Sequence, residues 1–170
     1  MHRPYSVLFI SRRNAARSLM AEAVVKRHAH GRFCALSAAV EPAEDPNPLA
    51  IEVLERAGYL TQDLHPKHWR EFIGPRAPVF DFVFTMSATA SPEAFPEWPG
   101  RPASAHWRYA DPVKATGEEW ERQRQFACTL SSVERHMRIF MQLSVAALDR
   151  IALHKSLDEL AAARAHEPVH

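Results

Sequence analysis

Ser11 and Arg17, six positions apart between an apolar run and a helical pattern, mark the stretch of this chain with the most chemistry in it. The segment reads Ser11-Arg12-Arg13-Asn14-Ala15-Ala16-Arg17-Ser18. Val7-Leu8-Phe9-Ile10 precedes it, and Leu19-Met20-Ala21-Glu22-Ala23, a helix start, follows. A strand, a short loop and a helix N-terminus in that order build a cradle for a tetrahedral oxyanion. Loop and first-turn N–H groups converge on one point, where the helix dipole adds about half a positive charge. The guanidinium of Arg17 suits bidentate contact with such an anion. Arg12, Arg13, Asn14, Ala15, Ala16, Arg17 and Ser18 are therefore the candidate anion-binding residues. Ser11 opens the loop with a hydroxyl, a far weaker acid than a thiol. To attack a bound anion it would need an adjacent general base, and no histidine lies beside it in sequence. Its expected role is a hydrogen bond to an anion or to the loop.

The elements that must position this loop are legible as apolar runs at about residues 5–10, 33–38 and 79–85, with a fourth near 104–107. Helical patterns lie between them at about 17–30, 47–58 and 66–73. Short buried strands alternating with helices predict an α/β domain, a parallel sheet of four strands with helices on both faces. Ligands of such sheets bind at the carboxyl ends of the strands, where Ser11 begins its loop. Residues 74–102 hold Pro75, Pro78, Pro92, Pro96, Pro99 and Pro102, so this segment reads as loop stiffened by fixed φ angles. A last long helix is expected from about Glu118 to His154, with Trp120, Ala127, Leu130, Val133, Met137, Phe140, Ala147 and Ile151 near one stripe. Residues 1–154 then form a single domain. Residues 155–170 form a short helix, opened by the capping-box pattern Ser156-x-x-Glu159, and a tail.

Composition narrows the class. The chain has 170 residues, enough for one sizeable core, and balances 21 Lys and Arg against 20 Asp and Glu. Bulk charge makes no case for nucleic acid or a membrane surface. No apolar run approaches the roughly 18 residues of a membrane span, and the start shows no signal-peptide pattern, so a cytoplasmic protein is expected. Cys34 and Cys128 form no metal-type or redox-type pair and read as packing residues. The ten histidines are scattered along the chain; His28 and His30 are two apart and face differently on a helix. The reading assigns no cofactor and no metal. Phe95, Trp98, Trp107, Tyr109 and Trp120 gather late in the chain, and each is expected in the core or under the proline-rich segment.

VLFISRRNAARSLMAEA resembles the start of the low-molecular-weight protein tyrosine phosphatases and of the arsenate reductases that share their fold. Those proteins carry Cys-x5-Arg-Ser/Thr after the first strand, usually with Asn at the position of Asn14. The resemblance continues through Ser37-Ala38, Glu41-Pro42, and Asn47-Pro48 leading into Ala50-Ile51-Glu52-Val53-Leu54. His65-Pro66-Lys67 sits where the arsenate-reductase branch often has Arg/His-x-Lys. His106-Trp107 and Ala110-Asp111-Pro112-Val113-Lys114-Ala115-Thr116-Gly117 resemble the acid loop of that branch.

The resemblance implies the low-molecular-weight phosphatase fold, with Ser11 at the position of the nucleophilic cysteine and Asp111 at that of the general acid, which protonates the leaving oxygen. Asp-Pro is also an ordinary turn-starting pair, so Asp111 serves either the chemistry or the loop's shape. Arg12 and Arg13 replace a small residue and a glycine, and add either solvated charge or positive potential around the anion. If the glycine position needs φ > 0, Arg13 costs of order 1–2 kcal/mol there. Glu22 reads as a helix-surface or loop-bracing carboxylate. Thioredoxin-coupled arsenate reductases also need two relay cysteines after the third strand, and Thr85-Met86-Ser87-Ala88-Thr89 and the stretch to Pro99 contain neither.

The implied function is binding of phosphate, arsenate or sulfate by a family member that has lost the thiol chemistry. Its ligand would be a small oxyanion or a phosphorylated molecule, with a protein partner possible in principle, and neither nucleic acid nor a membrane. The alternative is an active phosphatase or arsenate reductase, with Ser11 an introduced trapping substitution or with an unrecognised nucleophile.

Overall fold

The apolar runs become the strands of one sheet. In the computed structural model, which describes residues 2–87 and 98–154, β1 (Tyr5–Ser11), β2 (Phe33–Ala39), β3 (Phe82–Thr85) and β4 (Ala103–His106) lie in the order β2-β1-β3-β4. Every pairing is parallel, and Ser11 stands opposite Ala39 at the carboxyl end of the central strand. Val7, Leu8, Phe9 and Ile10 are fully buried, as a strand covered on both faces requires.

Alternate side chains of β1 feed two cores. Val7 and Phe9 point into the larger one, shared with α1 (Arg17–His28), α2 (Pro48–Arg56), α3 (Glu119–Met141) and α4 (Val145–His154). Phe82, Phe84, Trp107 and Phe140 stack there, with Phe84 and Trp107 centroids 4.5 Å apart. Leu8 and Ile10 point to the second core, with Phe72, Phe80 and Val83, under Trp69 and Trp98. The helix on this face is a single 3-10 turn, Trp69–Phe72, where the pattern over 66–73 predicts a longer one.

The long C-terminal helix is two helices. Ser144 starts α4 by accepting from the Ala147 N–H at 3.1 Å. Arg32 donates to the carbonyls of Met141 and Leu143 at 2.7 and 2.8 Å, so the groups freed by the break are paired. The turn lets α4 bury Leu148 in the main core.

The stripe on α3 also shifts. Leu130, Val133, Met137 and Phe140 are buried as expected, but Trp120 and Ala127 are exposed and Phe126 takes the inward position. Cys34 and Cys128 are both exposed and thus do not serve as packing residues. Ser156, Glu159, Phe95, Pro92 and Pro96 lie outside the described residues, as do the side chains of 151–154.

Candidate oxyanion site

The loop between β1 and α1 is held from outside by its own carbonyls. Those of Arg12, Arg13 and Ala15 accept from the N–H groups of Glu41, Ala43 and Asn47, each at 2.9 Å. A planar trans peptide points the next N–H the opposite way, so the amides of Arg13, Asn14 and Ala16 turn toward the interior of the loop. The Asn14 amide donates to Ser11 Oγ at 3.1 Å. Helix α1 begins behind Ala16, which offers no side-chain cap, and its first turn has no acidic residue. By contrast, Asn47 caps α2 by accepting from the Leu49 N–H at 2.9 Å. The positive end of α1 therefore faces the loop with neither a side-chain cap nor a first-turn carboxylate.

Asn14 carries the loop's backbone turn. Its φ is 50°, while Arg13 is not among the residues of positive φ. The left-handed position thus falls on the residue that tolerates it, and the expected strain at Arg13 does not arise. The buried Asn14 side chain donates from Nδ2 to Ser18 Oγ at 2.7 Å and accepts from the Lys67 N–H at 3.0 Å. Ser11 and Ser18 hydroxyls share a hydrogen bond at 2.6 Å. With Ser18 as donor, Ser11 accepts from both Asn14 and Ser18 and keeps its own proton for a ligand. Among the described residues, Ser11 Oγ has no hydrogen bond to a general base.

Arg17 is buried. It donates from Nη1 to the Tyr109 carbonyl at 3.0 Å, and its Nη2 lies 3.3 Å from Asp111 Oδ2. Burial lowers its pKa, and the charge of Asp111 works against that shift; a guanidinium stays charged regardless. Of its five N–H donors, three remain after those two contacts. Asp111 has two tasks. One oxygen faces Arg17, and the other accepts from the Val113 N–H at 3.2 Å, capping the 3-10 turn Pro112–Lys114. A cleft of about 380 Å³ opens over the loop, with Ser11, Arg13, Ala15, Ala16, Arg17 and Asp111 on one part of its wall and Asp45 to Pro48 on another.

Arg12 and Arg13 are both exposed and part company: Arg13 lines this cleft, whereas Arg12 lines a neighbouring one and lies 3.7 Å from Glu41.

Of the two roles expected of Glu22, helix-surface or loop-bracing, burial excludes the first. Glu22 is 1% exposed, with the Ser37 hydroxyl donating to Oε2, Lys26 Nζ at 2.6 Å from Oε1 and Lys67 Nζ at 3.6 Å from Oε2. Burial lowers the Lys67 pKa, and Glu22 opposes that shift. Lys67 also fixes the loop, since its N–H holds Asn14 and its carbonyl accepts from Ala39 at 2.7 Å. Lys67 and Ser37 were absent from the predicted site. The signal was available in the paired likenesses of Ser37-Ala38 and His65-Pro66-Lys67, but not in any local pattern of charge.

The fold is a parallel α/β domain with a short loop between its first strand and first helix at the carboxyl end of the sheet. Residues 6–153 match the family model described as low molecular weight phosphotyrosine protein phosphatase, and the chain belongs to that family. An arsenate reductase of Bacillus licheniformis is 27% identical over 138 residues, which cover 81% of this chain and 95% of the relative. An arsenate reductase of Archaeoglobus fulgidus, known from its crystal structure, is 26% identical over 76% of this chain and 97% of that one, with a TM-score of 0.57. An arsenate reductase in the phosphate binding state shares the fold at a TM-score of 0.66, with 22% identity over 81% of this chain and 96% of that one. None of the described helices is long and apolar enough to cross a membrane, and no group of metal-type ligands occurs among the described residues.

Proposed function

We propose that this chain binds a phosphate-like oxyanion, free or as part of a phosphorylated molecule, in the loop from Arg12 to Ser18, without the family's thiol chemistry. The observation that carries the reading is the uncapped positive end of α1 at a cleft that also holds the Arg17 guanidinium. Backbone amides, a helix dipole and an arginine bind an anion whether or not a nucleophile is present. The arsenate reductase solved in its phosphate binding state supports the choice of ligand. Loss of turnover follows from Ser11. Its hydroxyl accepts from the Asn14 amide and lies 2.6 Å from Ser18 Oγ, and no base among the described residues is placed to take its proton.

The Arg17–Asp111 pair favours one second reading, a working phosphatase or arsenate reductase in which Asp111 protonates the leaving oxygen and the nucleophile is other than Ser11.

Titration calorimetry with inorganic phosphate at low salt tests the first reading. It expects saturable binding that weakens at least tenfold in Arg17→Ala while the variant stays folded by circular dichroism. No heat with phosphate, arsenate or sulfate refutes it. Turnover of p-nitrophenyl phosphate by the unaltered chain that persists in Ser11→Ala would establish the second reading.

A further inference from the structure

A second cleft, of about 360 Å³, adjoins the first across the Arg17–Asp111 pair and is lined by Arg12, Arg17, Ser87, Arg108, Asp111 and Lys114. Four of these side chains are cationic and one is acidic, and that acid already faces Arg17 at 3.3 Å. Arg108 and Lys114 are exposed, and among the described residues neither has a carboxylate within ion-pair distance. The cleft therefore concentrates positive potential beside a site that already attracts anions.

Ser87 supplies an independent observation. It follows β3 at the carboxyl end of the sheet and is 2% exposed. Its Oγ is the single buried side-chain polar atom without a hydrogen-bond partner among the described residues. A buried hydroxyl left unpaired is a standing cost, and native structures remove nearly all such groups. Here the residue that carries the orphan hydroxyl lines a cleft whose charged groups are four cations and the Asp111 carboxylate. A χ1 rotation that brings Oγ to the cleft surface would let an anionic oxygen accept its proton while meeting the charges of Arg12, Arg108 and Lys114.

We infer that this cleft is a second oxyanion subsite, and that the ligand carries two phosphate-type groups, one on the loop and one against Ser87, Arg108 and Lys114. The inference rests on the loop being an anion site, and it names the ligand class that the loop alone leaves open. It also assigns the two loop arginines separate work. Arg13 borders the first group and Arg12 the second, while Arg17 stands between them.

The test compares inorganic phosphate with two bisphosphates of different span, pyrophosphate and 1,6-hexanediol bisphosphate, by calorimetry at about 0.15 M salt, where charges more than about 8 Å apart are screened. At least one bisphosphate should bind the full chain ten times more tightly than phosphate. Arg108→Ala with Lys114→Ala should remove that advantage while changing phosphate affinity less than about twofold. Ser87→Ala, which alters no charge, should weaken the bisphosphate about threefold and leave phosphate unaffected. Equal affinities for mono- and bisphosphates overturn the inference, as do variants that weaken both ligands alike. Failure of the loop reading looks different: Arg17→Ala then leaves phosphate binding intact. In that case a bisphosphate loss confined to the Arg108, Lys114 and Ser87 variants keeps the second subsite, and its absence removes both.

Discussion

Lys67→Met takes away the ammonium that faces the buried Glu22 and that donates to the His65 carbonyl at 2.8 Å. The backbone N–H of Lys67 still holds Asn14, because only the side chain changes, and methionine keeps most of the apolar stem. Glu22 retains the Ser37 hydroxyl and Lys26, whose half-exposed ammonium sits 2.6 Å from the other oxygen. Breaking a buried ion pair by removing one partner costs about 3–5 kcal/mol, and the remaining contacts place this site at the low end, about 3 kcal/mol. Urea unfolding at pH 7.5, followed by tryptophan fluorescence, measures the loss. Glu22→Gln combined with Lys67→Met should recover most of the loss, since the uncompensated charge is gone. A deficit under about 1 kcal/mol, or one indifferent to Glu22→Gln, would refute the account of this cluster.

Asn14→Ala should destabilise the chain by about 2–3 kcal/mol. It places a Cβ residue without a stabilising side chain at φ 50° and deletes the bonds to Ser18 and Lys67; calorimetric melting checks it, and a loss below about 1 kcal/mol would contradict the structure. Ser11→Cys should yield measurable p-nitrophenyl phosphatase activity, because the loop's amides and helix end lower a thiol's pKa and Asp111 already faces Arg17; a folded, phosphate-binding variant with none would show that the acid is misplaced. Tyr5 and Tyr59 are pushed up to about 12 by burial, with Asp149 and Glu134 respectively adding to the shift, and burial raises Tyr109 further. Folded pKa values above the unfolded value of about 10 give stability that is fully present below pH 10 and lost as pH rises through about 12. Tyrosinate absorbance in the native chain should therefore appear only at the alkaline end of that window, together with unfolding.

Much of this was legible in sequence where a signal was local. Val7 to Ile10 announced the central strand because a parallel strand buried on both faces reads as one apolar run. The pattern Ser11 to Ser18 located the loop, because the elements either side of it are strongly typed. What escaped was set by distant contacts. Glu22 reads equally as a surface or a loop-bracing carboxylate until Ser37 and Lys67 arrive from other elements. Trp120 and Ala127 share a helical stripe with core residues, yet both are exposed and Phe126 turns inward instead. The break at residues 142–144 was signalled by Ser144 alone, and it holds because Arg32, more than a hundred positions earlier, takes the freed carbonyls. The strain foreseen at Arg13 belonged to Asn14, a distinction that depends on how the loop carbonyls dock on residues 41–47.

The central claim is that an anion sits among the loop amides at the start of α1. Backbone amide shifts of the labelled protein, recorded while inorganic phosphate is added, read that directly. The account predicts saturable movement concentrated in Arg13 to Ser18, abolished in Arg17→Ala and with β4 and the far end of α3 unmoved. Phosphate that shifts resonances elsewhere while leaving those of Arg13 to Ser18 in place would contradict it.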